Sequence, residues 1–340
     1  MKFLIAGLGS IGRRHFRNLI ALGEKDIVLL RSHRATLPDD ELTGYPVETD
    51  IHTALAKHKP HAVIVANPTA LHLDIALPAA EAGCHILLEK PVSDSLDRLD
   101  TLQRTAQKSG SKILVGFQFR YHPTLNKARE LIQAGALGQV LTVHAHWGEY
   151  LPQWHPWEDY RQSYAARADL GGGVIRTLTH PLDYLRYLLG EVKALWSFNG
   201  HISPLELDVE DVAEIGLRFS NGAIGGVHLN YVQRPPRHTL EIVGTQGTLR
   251  WDNADGLLHV YRATLPFGSF ADPAPAPVIE TFSPPEGFER NWLFVSQTRH
   301  FLETARGESE PICSLEDGIM ALRLALAARW SMVDRHIAIF

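Results

Sequence analysis

Gly7, Gly9 and Gly12 stand between the apolar run Phe3-Leu4-Ile5-Ala6 and an amphipathic segment, Ile11 to Leu22. No other stretch restricts the fold so sharply, because a strand, a Gly-x-Gly-x-x-Gly turn and a helix must follow one another directly. The first glycine permits the tight turn, the second lets backbone approach a pyrophosphate, and the third allows close helix–strand packing. The free N–H groups of the helix N-terminus then attract phosphate. Gly7, Gly9, Ser10, Ile11 and Gly12 are therefore expected to cradle a dinucleotide; the bland alternative is a turn that merely contains glycine.

The rest of the first third repeats the pattern. Ile27-Val28-Leu29-Leu30, Ala62-Val63-Ile64-Val65-Ala66, His85-Ile86-Leu87-Leu88 and Ile113-Leu114-Val115 are continuous apolar runs, as in strands buried on both faces of a parallel sheet. Amphipathic segments lie between them, with Gly23 and Gly83 as helix stops. Strands alternating with helices predict an α/β fold, a Rossmann-type doubly wound parallel sheet.

After about Tyr121 the texture changes. A helix is expected from Pro123 to Gln133, a polar-aromatic loop from Trp147 to Tyr164, and a helix from Val174 to Leu189. Ala213, Ile215, Leu217 and Phe219 then alternate into Asn221-Gly222, and Val227, Leu229 and Tyr231 return, a hairpin signature. A second hairpin is expected around Gly244 to Gly247. The stretch Leu265 to Pro285 reads as an extended surface excursion, and helices at Trp292 to Ala305 and Leu315 to Trp330 follow. With 340 residues, two domains are expected: 1–120, and an α+β domain over 121–340 with a mostly antiparallel sheet.

Composition excludes several classes. The 33 basic and 38 acidic residues form no like-charged block, so neither nucleic acid nor a membrane surface is an expected partner. No apolar run reaches the ~18 residues of a membrane helix. The run after Met1-Lys2 lacks a small-residue cleavage site, so it does not read as a signal peptide. Cys84 and Cys313 cannot make a disulfide framework, so the expected compartment is the reducing cytoplasm. The 18 histidines raise the question of zinc. His144 and His146 alternate on a probable strand, but neither cysteine is near and three convergent ligands are not evident, so no metal is expected.

Two further stretches carry chemistry. Where NAD enzymes place an acidic residue for the ribose 2′-hydroxyl, this chain has Arg31-Ser32-His33-Arg34. Arg31, Ser32 and Arg34 suit a 2′-phosphate. NADP is favoured, with NAD possible and a solvated basic loop as the alternative. The fifth strand ends in Glu89-Lys90-Pro91, where a partly desolvated lysine can exchange a proton with a substrate oxygen.

The ordered series Gly7 to Gly12, Asn67-Pro68-Thr69 with His72, Glu89-Lys90-Pro91, and Gly171-Gly172-Gly173 leading to His180 and Asp183 resembles the Gfo/Idh/MocA family, the glucose-fructose oxidoreductase and inositol dehydrogenase group. Gly116-Phe117-Gln118 with Arg120-Tyr121, Gly244-Thr245-Gln246-Gly247-Thr248 and Leu315-Glu316-Asp317-Gly318 extend the match along nearly the whole chain. The resemblance implies a Rossmann domain followed by an α/β domain with an open-faced, mostly antiparallel sheet. It implies NAD(P)-dependent oxidation or reduction of sugars, cyclitols and their derivatives, and a homodimer or homotetramer formed through the open face. Lys90 matches the family's catalytic lysine, in a Lys-Pro bond that is often cis, and His180 matches a histidine of the site. Asn67, Pro68, His72, Glu89 and Lys90 fall on the cofactor side.

Alcohol oxidation releases a proton beside a hydride, which calls for a group titrating near working pH. Imidazole does so ordinarily, and a lysine does so when buried or near positive charge. The family commonly places an acidic residue one helical turn before the histidine; here Arg176-Thr177 stand there, and Asp183 shares a helical face with His180. Tyr121, Trp157, Arg161, Tyr164, Arg176, Thr177 and Asp183 are the expected substrate contacts, suited to a sugar-like ring. The arginines Arg120, Arg161, Arg167, Arg176, Arg234 and Arg237 suggest an anionic substrate such as a sugar acid or nucleotide sugar, unless they are solvated or structurally paired. Two functions remain open: an oxidoreductase with Lys90 and His180 as the acid–base pair, or a non-catalytic dinucleotide-binding sensor on the same scaffold.

Overall fold

The computed structural model describes residues 1–32, 37–334 and 336–340, which form two compact units. The first takes Met1–Gln118, Ala168–Gly172 and Glu289–Arg323; the second takes Phe119–Arg167, Gly173–Phe288 and Leu324–Phe340. A single boundary near residue 120 is therefore too simple. The chain leaves the first unit after Gln118 and returns to it twice, briefly with Ala168–Gly172 and then with Glu289–Arg323, whose helices finish its core.

The first unit is built on β1 (Lys2–Ala6), α1 (Ser10–Ala21), β2 (Asp26–Leu30), β3 (Val47–Glu48), α2 (Ile51–His58), β4 (Ala62–Val65), α3 (His72–Glu81), β5 (His85–Leu88), α4 (Leu99–Ser109) and β6 (Ile113–Val115). Its sheet has the order β3-β2-β1-β4-β5-β6 with every pair parallel. Helices cover both faces, so the strands are apolar throughout, and Phe3, Leu4 and Ile5 retain no exposed surface. The strand β3 has no signature in the sequence, since two residues are too few for a pattern.

The second unit comprises α5 (Pro123–Gln133), β7 (Val140–Tyr150), α6 (Val174–Thr177), α7 (His180–Leu189), β8 (Val192–Gly200), β9 (Val212–Phe219), β10 (Ile224–Asn230), β11 (Val232–Gly244), β12 (Gly247–Asp252), β13 (Leu258–Arg262) and β14 (Val278–Phe282). Next, α8 (Arg290–Ala305) and the first part of α9 (Leu315–Asp334) rejoin the first unit, and β15 (Ala338–Ile339) closes the second. Nine strands run in the order β14-β13-β12-β11-β7-β10-β9-β8-β15, antiparallel except for β7 beside β10. Ala213, Ile215, Leu217 and Phe219 face the core, as alternation requires. On the opposite face Trp196, Gly216, Gly226, His144, Glu241, Arg250 and His259 lie side by side across successive strands.

Three local expectations need correction. Trp147 to Tyr150 belongs to β7, not to a loop. The expected helix Val174 to Leu189 is broken into α6 and α7, because Pro181 cannot sit in a helix interior but readily opens a new one. Arg234-Pro235-Pro236-Arg237 falls within β11 but is exposed and lies beyond the reach of β12, whose pairing starts at Thr239. Its pairing with β7 shifts between Val232 and Arg237, where the prolines offer no N–H. The excursion Leu265 to Pro285 contains β14. No helix among the described residues is long and apolar enough to cross a membrane.

Candidate functional site

In the first unit, the carboxyl ends of β1, β2, β4 and β5 carry the expected cofactor residues. Gly7 has φ +89°, and a Cβ there would stand 2.5 Å from the backbone N of Asn67. A Cβ on Gly12 would run into the carbonyl oxygen of Gly7, whereas one on Gly9 would meet nothing within 4 Å. Two glycines thus seat the turn, and the third leaves open space over it. Ser10, exposed, begins α1, followed by half-buried Ile11. Asn67 donates from Nδ2 to Leu71 O at 2.9 Å, while its buried Oδ1 accepts no hydrogen bond from the described residues, and Pro68 is half-buried beside it. His72 is buried, with Nε2 3.0 Å from Asn67 O, and burial lowers its imidazole pKa. Lys90 is half-buried, and its bond to Pro91 is cis.

At the end of β2 the structure adds something the sequence hid. Arg31 is largely buried and donates from Nη2 to Asp39 Oδ1 at 2.8 Å. Arg13, buried in α1, reaches the same oxygen at 3.0 Å. The Arg31 bond, then the Arg13 bond, holds the Asp39 carboxyl below its ordinary value. An acidic residue is therefore present here after all, eight positions beyond Arg31, where a fixed spacing from the glycine turn does not find it. Ser32 is exposed, and Arg34 lies outside the described residues.

In the second unit His180 opens α7 and is buried, its ring 5.1 Å from Phe119 and 5.4 Å from Trp147, centre to centre. Trp147 also stacks on His238 at 4.2 Å, and Tyr184 Oη lies 3.3 Å from His238 Nε2. Phe119, Trp147, Tyr184 and His238 come from four separate segments, so no local motif marks them. Asp183 accepts from Arg120 Nε at 3.1 Å and Nη2 at 2.7 Å, both side chains buried. Arg176 and Thr177 are buried on α6, and the phenol of Tyr231 donates to Ala165 O at 3.4 Å. Burial raises that phenol well above its ordinary pKa, with Tyr164 and Glu210 adding to the rise, so Tyr231 stays protonated. Gly173, at φ +110°, has no room for a Cβ because the Glu210 carboxylate fills it. Tyr121 and Tyr164 are half-buried. Trp157 is exposed, and so is Arg161, which is held by Asp159 at 2.8 Å and Glu206 at 2.7 Å. Arg120 and Arg161 thus already have carboxylate partners. Among the described residues no group of three His, Cys, Asp or Glu side chains is placed to hold a metal.

Known proteins place this arrangement. Residues 1–117 match the oxidoreductase family with an NAD-binding Rossmann fold, and residues 125–250 match the Gfo/Idh/MocA C-terminal domain. The chain is 25% identical over 351 residues to the myo-inositol 2-dehydrogenase of Thermotoga maritima, covering 99% of this chain and 97% of that protein. It is 27% identical over 344 residues to an uncharacterised oxidoreductase of Bacillus subtilis, covering 96% and 93%. A levoglucosan dehydrogenase solved with NADH and levoglucosan superposes over 100% of this chain and 99% of its own, with TM-score 0.84 and 22% identity. Two sheets, a glycine turn and matching family descriptions on both halves lead to one conclusion: the chain belongs to the Gfo/Idh/MocA family of NAD(P)-binding oxidoreductases.

Proposed function

We propose that this dehydrogenase acts on a hydroxyl or carbonyl carbon of a sugar, cyclitol or sugar derivative, with Lys90 and His180 as its acid–base pair. The observation that carries the reading is Lys90 itself, half-buried at the carboxyl end of β5, on the sheet edge that bears the glycine turn. Gly9 leaves open space for a pyrophosphate over the turn that Gly7 and Gly12 seat, and the Asn67 Oδ1 accepts no hydrogen bond from the described residues. The bound nicotinamide supplies the hydride donor or acceptor. Lys90 and His180 hold and release the proton at the substrate oxygen, while the rings of Phe119 and Trp147 shield His180 from water. Tyr121, Trp157, Tyr164 and Thr177 supply stacking and hydrogen bonds to a polyol, and Asp183 braces the site through Arg120. An anionic sugar is the finer substrate reading, and Arg120 and Arg161, which already carry carboxylate partners, lend it no support. The test is turnover of neutral sugars, cyclitols, sugar acids and nucleotide sugars with both cofactors. Lys90→Ala should lower kcat/KM by about 10²–10⁴-fold. Tight cofactor binding without turnover of any of them would favour a sensor, a reading that Arg176-Thr177 in place of the family's acidic residue supports.

NADP is the finer cofactor reading, carried by Arg31 and Arg34, with Asp39 as its counterweight. Arg31→Ala should weaken NADPH roughly 10–100-fold and NADH little, the worth of a charge-assisted bond. Asp39→Ala should strengthen NADPH by releasing Arg31. Fluorescence titration with both nucleotides decides it; tighter NADH binding by the parent protein would overturn the preference. A homo-oligomer is the expected assembly, supported by Trp196, Phe198 and Ile224 exposed on the open sheet face and testable by sedimentation.

A further inference from the structure

One buried cluster of titratable side chains has no part in the reading above. It lies where β5 and β6 end, wholly within the first unit. The Glu89 carboxylate, 6% exposed, directly precedes Lys90. Its Oε1 lies 2.8 Å from Nε2 of His15, a residue with no exposed surface on the inner side of α1. Its Oε2 accepts the backbone N–H of Lys90 at 3.2 Å. Gly116, just after β6, makes the space: a Cβ there would stand 3.0 Å from both carboxylate oxygens. A carboxylate is costly to bury unless it is bonded and charge-paired. Here the bonding partners come from α1 and from the chain just after β5, and the residue they hold adjoins the lysine given the proton transfer.

The groups facing Glu89 set its charge. From α1 come His15 and Arg14, the latter 4.4 Å over the Phe294 ring and faced by Arg290 and Arg17; from α3 comes His72, and Lys90 follows in the chain. Burial pushes the Glu89 carboxyl up. The His15 bond and charge, together with Lys90, outweigh it and hold the carboxyl below its ordinary value. Burial keeps His72 neutral. Glu89 is thus an anion at neutral pH, fastened on one side and aimed at Lys90 on the other.

We infer that His15 and Glu89 are positioning residues for Lys90: His15 locks the Glu89 carboxylate, which fixes the Lys90 backbone and favours the ammonium form of its side chain. The inference rests on the assignment of proton transfer to Lys90. It sharpens that assignment, because the resting enzyme then presents a proton donor to a substrate oxygen.

The test reads Lys90 directly, with no substrate. In protein labelled with ¹⁵N-lysine, the Lys90 side-chain resonance is assigned by its loss in Lys90→Arg, and its midpoint is followed against pH. Glu89→Gln should lower the midpoint by about one unit, the effect of removing a neighbouring opposite charge. His15→Phe keeps the ring volume but removes the donor, so Glu89 takes up a proton and the midpoint falls likewise. His15→Gln, which keeps an N–H, should stay near the parent. An unmoved midpoint in Glu89→Gln overturns the inference; if that variant does not melt cooperatively, an unmoved midpoint in His15→Phe does so. A purely structural role would lower the melting temperature and leave the midpoint in place. A shifted midpoint in an enzyme that turns over no sugar sinks the proposed function and leaves this inference standing.

Discussion

Asp183 follows His180 by three residues, a spacing that brings side chains together on a helix, yet two of its bonds go to Arg120, far away in sequence. Removing either partner would strand a buried charge, which costs about 3–5 kcal/mol, so this pair is part of the framework as much as of any site. His122 gives a sharper residue-scale prediction. Burial pushes its imidazole down from 6.5 to about 4, and its Nδ1 lies 3.1 Å from the Thr124 hydroxyl. Above pH 6.5 both folded and unfolded chains hold it neutral. As pH falls from 6.5 towards 4 only the unfolded chain gains the proton, so stability should drop by about 3 kcal/mol across that window. Urea unfolding at pH 7 and 4.5 checks this: His122→Gln should lose less between the two than the parent, and an equal loss would refute it. At this scale legibility follows sequence distance. The glycine spacing was readable because its proposed role is local; the Asp39 partner of Arg31 was not, because the sequence between them carries no periodic signal.

Among the elements, the turn from β1 into α1 is the most constrained. Gly12 packs against the Gly7 carbonyl so closely that a methyl group has nowhere to go. Gly12→Ala should therefore displace α1 from the sheet and weaken dinucleotide binding by at least about tenfold, since a shift of even 1 Å in a positioned group is expensive. Calorimetric titration with NADH and NADPH measures it, and parent-like affinity would contradict the packing argument. The parallel strands and both hairpins could be read from apolar runs and from Asn221-Gly222. What escaped reading was structure set by neighbours. Val47–Glu48 becomes a strand only because β2 offers it an edge. The break between α6 and α7, by contrast, was available in Pro181.

For the whole molecule, the order of segments matters more than their number. Leu293, Phe294, Phe301 and Leu302 of α8 are buried in a unit whose sheet is complete by Val115. Asn291 bonds Asn18 at 3.1 Å, and Arg306 reaches Glu24 at 2.8 Å. A fragment of residues 1–118 keeps all six parallel strands but loses this cover from α1. It should bind a hydrophobic dye and melt without cooperativity, whereas linking residues 289–323 behind it should restore a sharp transition; a cooperative melt of the short fragment would refute the claim. The same dependence has a meaning during synthesis. At about 5–20 residues per second, roughly 10–40 s separate the emergence of residue 118 from that of residue 323. Through that interval the nascent chain carries an apolar flank with nothing yet made to cover it. Ribosome-stalled chains that end soon after Phe119 should recruit chaperones, and the recruitment should fade once Arg323 has left the ribosome.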